Sequence, residues 1–165
     1  MPNYRRRIKR KYDNSQGDST ELFNEISRAA SEVGMDEALA CLEQCVIEKR
    51  LAWVKANLGE VKEDDAVMEG YRWFYERYLK ISIPKDGEII ERANNRLVMR
   101  WRNPCPTLEA CRKLGLDTRE ICKKAYHRPV EEFLKQVDPR LRFGRNYESL
   151  RPHTDYCEEI IELAD

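Results

Sequence analysis

Three thiols in the second half of this chain are the residues best suited to chemistry. Cys105 falls in Asn103-Pro104-Cys105-Pro106, Cys122 in Arg119-Glu120-Ile121-Cys122, and Cys157 in Asp155-Tyr156-Cys157-Glu158-Glu159. They are far apart in sequence, yet one compact β–α–β unit can bring such positions together. Thiolates serve both as zinc ligands and as nucleophiles. The chain has only two histidines, His127 and His153, so imidazole chemistry has few sources. A structural zinc site takes four tetrahedral ligands. Cys105, Cys122 and Cys157 would supply three, and Glu148 or His153 the fourth. With water in that place the site would be catalytic. Alternatively Cys122, one turn into a predicted helix, gains from the helix N-terminal field and acts as a nucleophile. The competing reading is plain burial, since free cysteine packs as a small hydrophobe and no CxxC pair occurs here.

Other groups carry weaker signals. Cys41 and Cys45 are four apart on a predicted helix and share one face, where packing is the simpler reading. Cys111 reads as packing too. Arg145, Tyr147 and Arg151 cluster near the end of the chain. A guanidinium fork there suits a substrate carboxylate, and the alternative is pairing with Glu158 and Glu159. Phosphate-cradling glycine loops, Ser-His-Asp spacings and HExxH are absent.

The elements that must position these residues follow from periodicity. Residues 12–18 read as a loop. Leu22, Phe23, Ile26, Ala29 and Ala30 recur at helical spacing up to a stop at Gly34. A second helix, with Asp36 as a cap, runs to about Leu58. A third, rich in aromatics from Tyr71 to Tyr78, spans about 64–79 and could support a homodimer. The period then changes. Residues 88–93 and 96–101 flank Asn94-Asn95 as a hairpin. Helices follow at 107–114, capped by Thr107, and at 118–136, capped by Asp117 or Thr118 and kinked at Pro129. Residues 141–147 and 156–163 read as closing strands. The expectation is one α+β domain over 1–165. It has a basic tail and loop at 1–17, a helical half at 18–82, and a β-β-α-α-β-β half at 88–163 whose four-stranded antiparallel sheet carries helices on one face.

Composition narrows the setting. With 165 residues, 41% hydrophobic and 36% charged, the chain reads as soluble and globular. No apolar run approaches the roughly 18 residues of a membrane span, and no secretory signal is visible. The expected location is the cytoplasm, where the cysteines stay reduced. Formal net charge is zero, but Arg5, Arg6, Arg7, Lys9, Arg10 and Lys11 crowd the start. Such a tail can contact nucleic acid. No basic stripe with interleaved aromatics follows it, so a nucleic-acid partner is not expected. Fraying, or folding back onto the chain's own acids, is the preferred reading.

Longer stretches carry a resemblance. They are Asn103-Pro104-Cys105-Pro106; Glu109-Ala110-Cys111-Arg112-Lys113-Leu114-Gly115-Leu116; Cys122; Pro139-Arg140-Leu141-Arg142-Phe143-Gly144-Arg145; and Asp155-Tyr156-Cys157. Together, over about residues 97–163, they resemble the L-2-amino-thiazoline-4-carboxylic acid hydrolase-like family. The resemblance implies hydrolytic opening of a small carboxylated cyclic amidine, with Cys105, Cys122, Arg145 and Cys157 as the matching positions. From residue chemistry, Cys122 would attack or water would be activated by metal, while Arg145, with Tyr147 beside it, would hold the substrate. A more distant likeness is to 4-vinyl reductase type domains, some of which hold zinc through cysteines and a glutamate. Cys122, Glu148 and Cys157 lie in comparable places, with Cys105 replacing a cysteine that this chain lacks. That likeness implies a zinc-stapled module that binds a small molecule without catalysis.

Overall fold

The computed structural model describes all of residues 1–165. The helices are α1 (Asn3–Asn14), α2 (Thr20–Val33), α3 (Met35–Asn57), α4 (Ala66–Tyr71), α5 (Pro106–Leu114), α6 (Thr118–Ile121) and α7 (His127–Val137). The strands are β1 (Gly87–Ala93), β2 (Arg96–Trp101), β3 (Leu141–Arg145) and β4 (Cys157–Leu163). The chain is α+β in the expected order, and its strands form one antiparallel sheet arranged β1-β2-β4-β3. No helix is long and apolar enough to cross a membrane.

The first seventeen residues depart most from expectation. The tail is helical from Asn3 to Asn14, and Tyr4 and Ile8, four apart, are buried on its inner stripe. Its cations face the chain's own acids. Arg5 meets Glu37 at 2.6 Å, Arg7 meets Glu25 and Glu32 at 2.6 Å each, and Lys11 meets Glu21 at 2.9 Å. The density of charge had hidden a two-residue apolar stripe, which is enough to dock a short helix.

Helix ends follow local chemistry. Gly34 (φ +88°) separates α2 from α3 and Gly115 (φ +67°) ends α5, both in the left-handed region that a Cβ disfavours. Because α3 starts directly after Gly34, Asp36 lies in its first turn and caps nothing. The cap of α5 is Cys105, not Thr107: its Sγ accepts the Leu108 N–H at 3.5 Å. Asp117 caps α6 as expected, accepting the Arg119 N–H at 2.9 Å.

Two helical stretches are wound wide. The aromatic helix begins as a tight turn at Glu63–Asp65, continues as α4, and becomes π-helical over Arg72–Leu79. A second π segment, Cys122–Tyr126, joins α6 to α7. Pro129 follows in the first turn of α7, and its missing N–H and bulky ring disturb the ladder back towards this segment.

The sheet's inner face presents Leu97, Met99, Trp101, Leu141, Phe143 and Ile161 to Val67, Tyr71, Phe74, Phe133 and Leu134. A second apolar cluster joins Ile8, Leu22, Phe23, Ile26, Leu39, Leu42 and Cys111. Helix α3 crosses both, with Leu39 and Val46 in the second and Val54 in the first. Each large side chain buried this way contributes about 1.5–3 kcal/mol. Cys105, Cys122 and Cys157 lie beside Phe74, Tyr75, Trp101 and Val130 of the first cluster and beside Tyr12 and Tyr126, which pack against the second.

Candidate functional site

Cys105, Cys122 and Cys157 border one cavity of about 390 Å³. Cys105 arrives as the cap of α5, and Cys122 opens the π segment. Cys157, the first residue of β4, stands opposite Trp101 in the strand register. Phe74, Tyr75, Trp101, Tyr126, Val130 and Leu150 supply apolar wall. Trp101 stacks on Tyr75, with ring centroids 4.6 Å apart and planes 22° apart. The volume falls within the ~300–1,000 Å³ usual for small-molecule sites.

The sulfurs differ in their surroundings. Burial pushes the Cys122 thiol up to about 12, with Arg145 opposing and the neighbouring Cys105 and Cys157 adding to the rise. Burial also raises Cys105, against the Leu108 N–H it accepts. Both therefore hold their protons at neutral pH. Desolvation thus opposes the thiolate that a nucleophilic Cys122 would need. Cys157 alone accepts a guanidinium hydrogen bond, from Arg151 Nε at 3.3 Å. Arg151 also donates to the Asn103 carbonyl at 2.7 Å, tying β4 to the loop that leads into α5.

Arg145 reaches the cavity, but its charge is already engaged. Opposite Glu159 in register, it donates Nε and Nη2 to Glu159 Oε1 at 3.2 and 3.0 Å, and Nη1 to the Cys122 carbonyl at 3.2 Å. Tyr75 donates its hydroxyl to Glu159 Oε2 at 2.5 Å. Burial disfavours the Arg145 charge, yet Glu159 more than offsets it and the guanidinium stays protonated. Burial first, then Glu159, holds the Tyr75 phenol well above its ordinary value. Arg145 is thus one end of a closed Tyr75–Glu159–Arg145 chain: it takes the acid-paired alternative and is not an open carboxylate fork.

Tyr147 and Glu148 do not line the cavity. The Tyr147 hydroxyl lies 2.7 Å from His127 Nδ1, and burial followed by Arg145 lowers that imidazole's pKa. Glu148 is exposed beyond β3, with its backbone N–H bonded to Asn146 Oδ1. No three His, Cys, Asp or Glu side chains converge as a metal-ligand group. Cys105, Cys122, Cys157 and Glu148 are therefore not gathered as one ligand set, and Glu148 lies outside the cavity that the three cysteines border. Cys41, Cys45 and Cys111 are buried, as the packing reading expected.

Sequence reasoning passed over Arg50. It lines the cavity from α3 and is only 8% exposed. Its Nε and Nη1 are buried without a hydrogen-bond partner, as is the Trp101 indole nitrogen. The guanidinium carbon lies 5.2 Å from the Phe74 ring centroid and 5.6 Å from that of Tyr78. A signal was present: Val46, Arg50 and Val54 are four apart, so a charge interrupts the buried stripe of α3. Lys49, Arg50, Arg145 and Arg151 line the cavity against a single carboxylate, Glu159.

Comparison with protein-family models, curated proteins and solved structures finds no match.

Proposed function

We propose that this chain binds a small organic molecule in the cavity where its two apolar clusters meet. The observation that carries this reading is the cavity itself: about 390 Å³, walled by aromatic rings and bordered by three cysteines and buried charge. A flat, partly apolar body stacked on Trp101 and Tyr75 suits that wall. The test is a thermal-shift screen of aromatic and heterocyclic compounds, with hits titrated calorimetrically into wild type and into Cys122→Phe, which fills the cavity. Binding that is lost in the filled variant is the expected result. Hits that bind the filled variant equally well would refute the reading.

A second reading is hydrolysis of a carboxylated cyclic amidine, and the Arg151 hydrogen bond to Cys157 favours it. In that reaction the sulfur adds to the amidine carbon. The ring C–N bond then breaks, its nitrogen takes a proton, and water displaces the sulfur to restore the thiol. One water is consumed overall. Incubation with 2-amino-thiazoline-4-carboxylate, followed by mass spectrometry, separates the readings. Turnover abolished by Cys157→Ser supports catalysis, and binding without turnover leaves the first reading alone.

A further inference from the structure

We infer that the cavity takes an organic carboxylate and that Arg50 holds its charge; this rests on the cavity being the ligand site. A buried guanidinium needs a compensating partner, because desolvating a charge is costly. The rings of Phe74 and Tyr78 compensate part of that cost through their negative faces. They accept no hydrogen bond from Nε or Nη1, and those two donors stay bare.

No group of the protein pairs with those two donors. Glu159 is the one carboxylate lining the cavity, and Tyr75 and Arg145 engage its two oxygens. The other cations differ from Arg50. Arg145 is paired with Glu159, and Arg151 is bonded to Asn103 and Cys157. Lys49 is exposed, with its ammonium 5.0 Å from the Tyr12 ring centroid, where it can draw an anion inward. One buried, unpaired guanidinium matches one singly charged carboxylate. The ligand's body then lies on the Trp101–Tyr75 wall and its charge against α3.

The test uses matched acids and amides: benzoate with benzamide, indole-3-acetate with indole-3-acetamide, and 2-amino-thiazoline-4-carboxylate with its amide. Each is titrated by calorimetry at neutral pH into wild type, Arg50→Lys and Arg50→Met. Acids should bind wild type at least about tenfold more tightly than their amides. Arg50→Met should weaken acids by at least about tenfold and leave amides within about threefold. Arg50→Lys should fall between. Ligand-free Arg50→Met should melt no lower than wild type, because methionine keeps the packed stem and removes an unpaired charge. Acids and amides that bind equally, with Arg50→Met sparing both, would overturn the inference and leave the cavity reading standing. A lower melting point for Arg50→Met with an unchanged acid-to-amide ratio would make Arg50 structural and also overturn it. No binding by any pair to wild type would remove the cavity reading, and this inference with it.

Discussion

At the scale of single residues, the site is governed by which charges are neutralised. Glu159 satisfies Tyr75 and Arg145 together in a place nearly closed to water. Glu159→Gln should therefore destabilise the fold by about 3–5 kcal/mol, since it leaves Arg145 buried beside a neutral amide. Urea unfolding measures this. A milder loss for Tyr75→Phe is expected, because only one hydrogen bond goes. The thiols make a pH prediction. Cys111 and Cys122 are pushed by burial from an ordinary 9.0 up to about 12. Between those values the unfolded chain has released protons that the folded chain still holds. Their contribution to stability is thus fully present below about pH 9 and is lost as pH rises towards 12. Chemical denaturation at stepped alkaline pH should show stability falling across that window. Replacing both thiols by alanine should flatten the fall.

At the scale of elements, the β1–β2 hairpin shapes the cavity wall through Trp101. A Cβ on Gly87 would collide with the Arg100 carbonyl and lie 3.0 Å from Trp101 Cε3. Gly87→Ala should cost more than about 2 kcal/mol, because the obstacle is backbone that cannot move aside. It should also weaken ligand binding by displacing the indole, which calorimetry on the folded fraction would report. The helical segments show where periodicity reads well and where it misleads. The hairpin at 87–101 was legible because two short runs rich in β-branched and apolar residues flank the turn pair Asn94-Asn95. The wide turns at 72–79 and 122–126 were not, since a π turn changes spacing by about one residue and leaves composition alone. Helix α1 was hidden for another reason. Its burial depends on Glu25, Glu32 and Glu37, which lie well along the chain in α2 and α3.

For the whole molecule, the cavity couples two apolar clusters that otherwise share mainly α3. A bound ligand should raise amide-exchange protection in both α3 and the β2–β4 pair. Protection confined to one of them would place the ligand elsewhere. The basic start of the chain belongs to this scale too. Deleting residues 1–14 should lower the melting temperature, because Tyr4 and Ile8 leave the second cluster and the buried Glu25 loses Arg7. A free nucleic-acid-binding tail would instead detach without thermal cost, and a salt titration with a DNA duplex would show its loss.

The local pattern alone was enough for the α+β order, the hairpin, the Gly34 and Gly115 breaks and the Asp117 cap, because each is decided by neighbours within a few residues. It also marked Cys105, Cys122, Cys157 and Arg145 as residues to watch, and these do border one cavity. Only the tertiary structure decided what they are there. Burial keeps Cys122 and Cys105 as thiols, and Glu159 closes off Arg145. Arg50, unremarkable in a charged sequence, is the buried cation left without a hydrogen-bond partner. Desolvation and ion pairing depend on groups brought close from distant parts of the chain, and no spacing along the sequence encodes which of several arginines finds the single carboxylate.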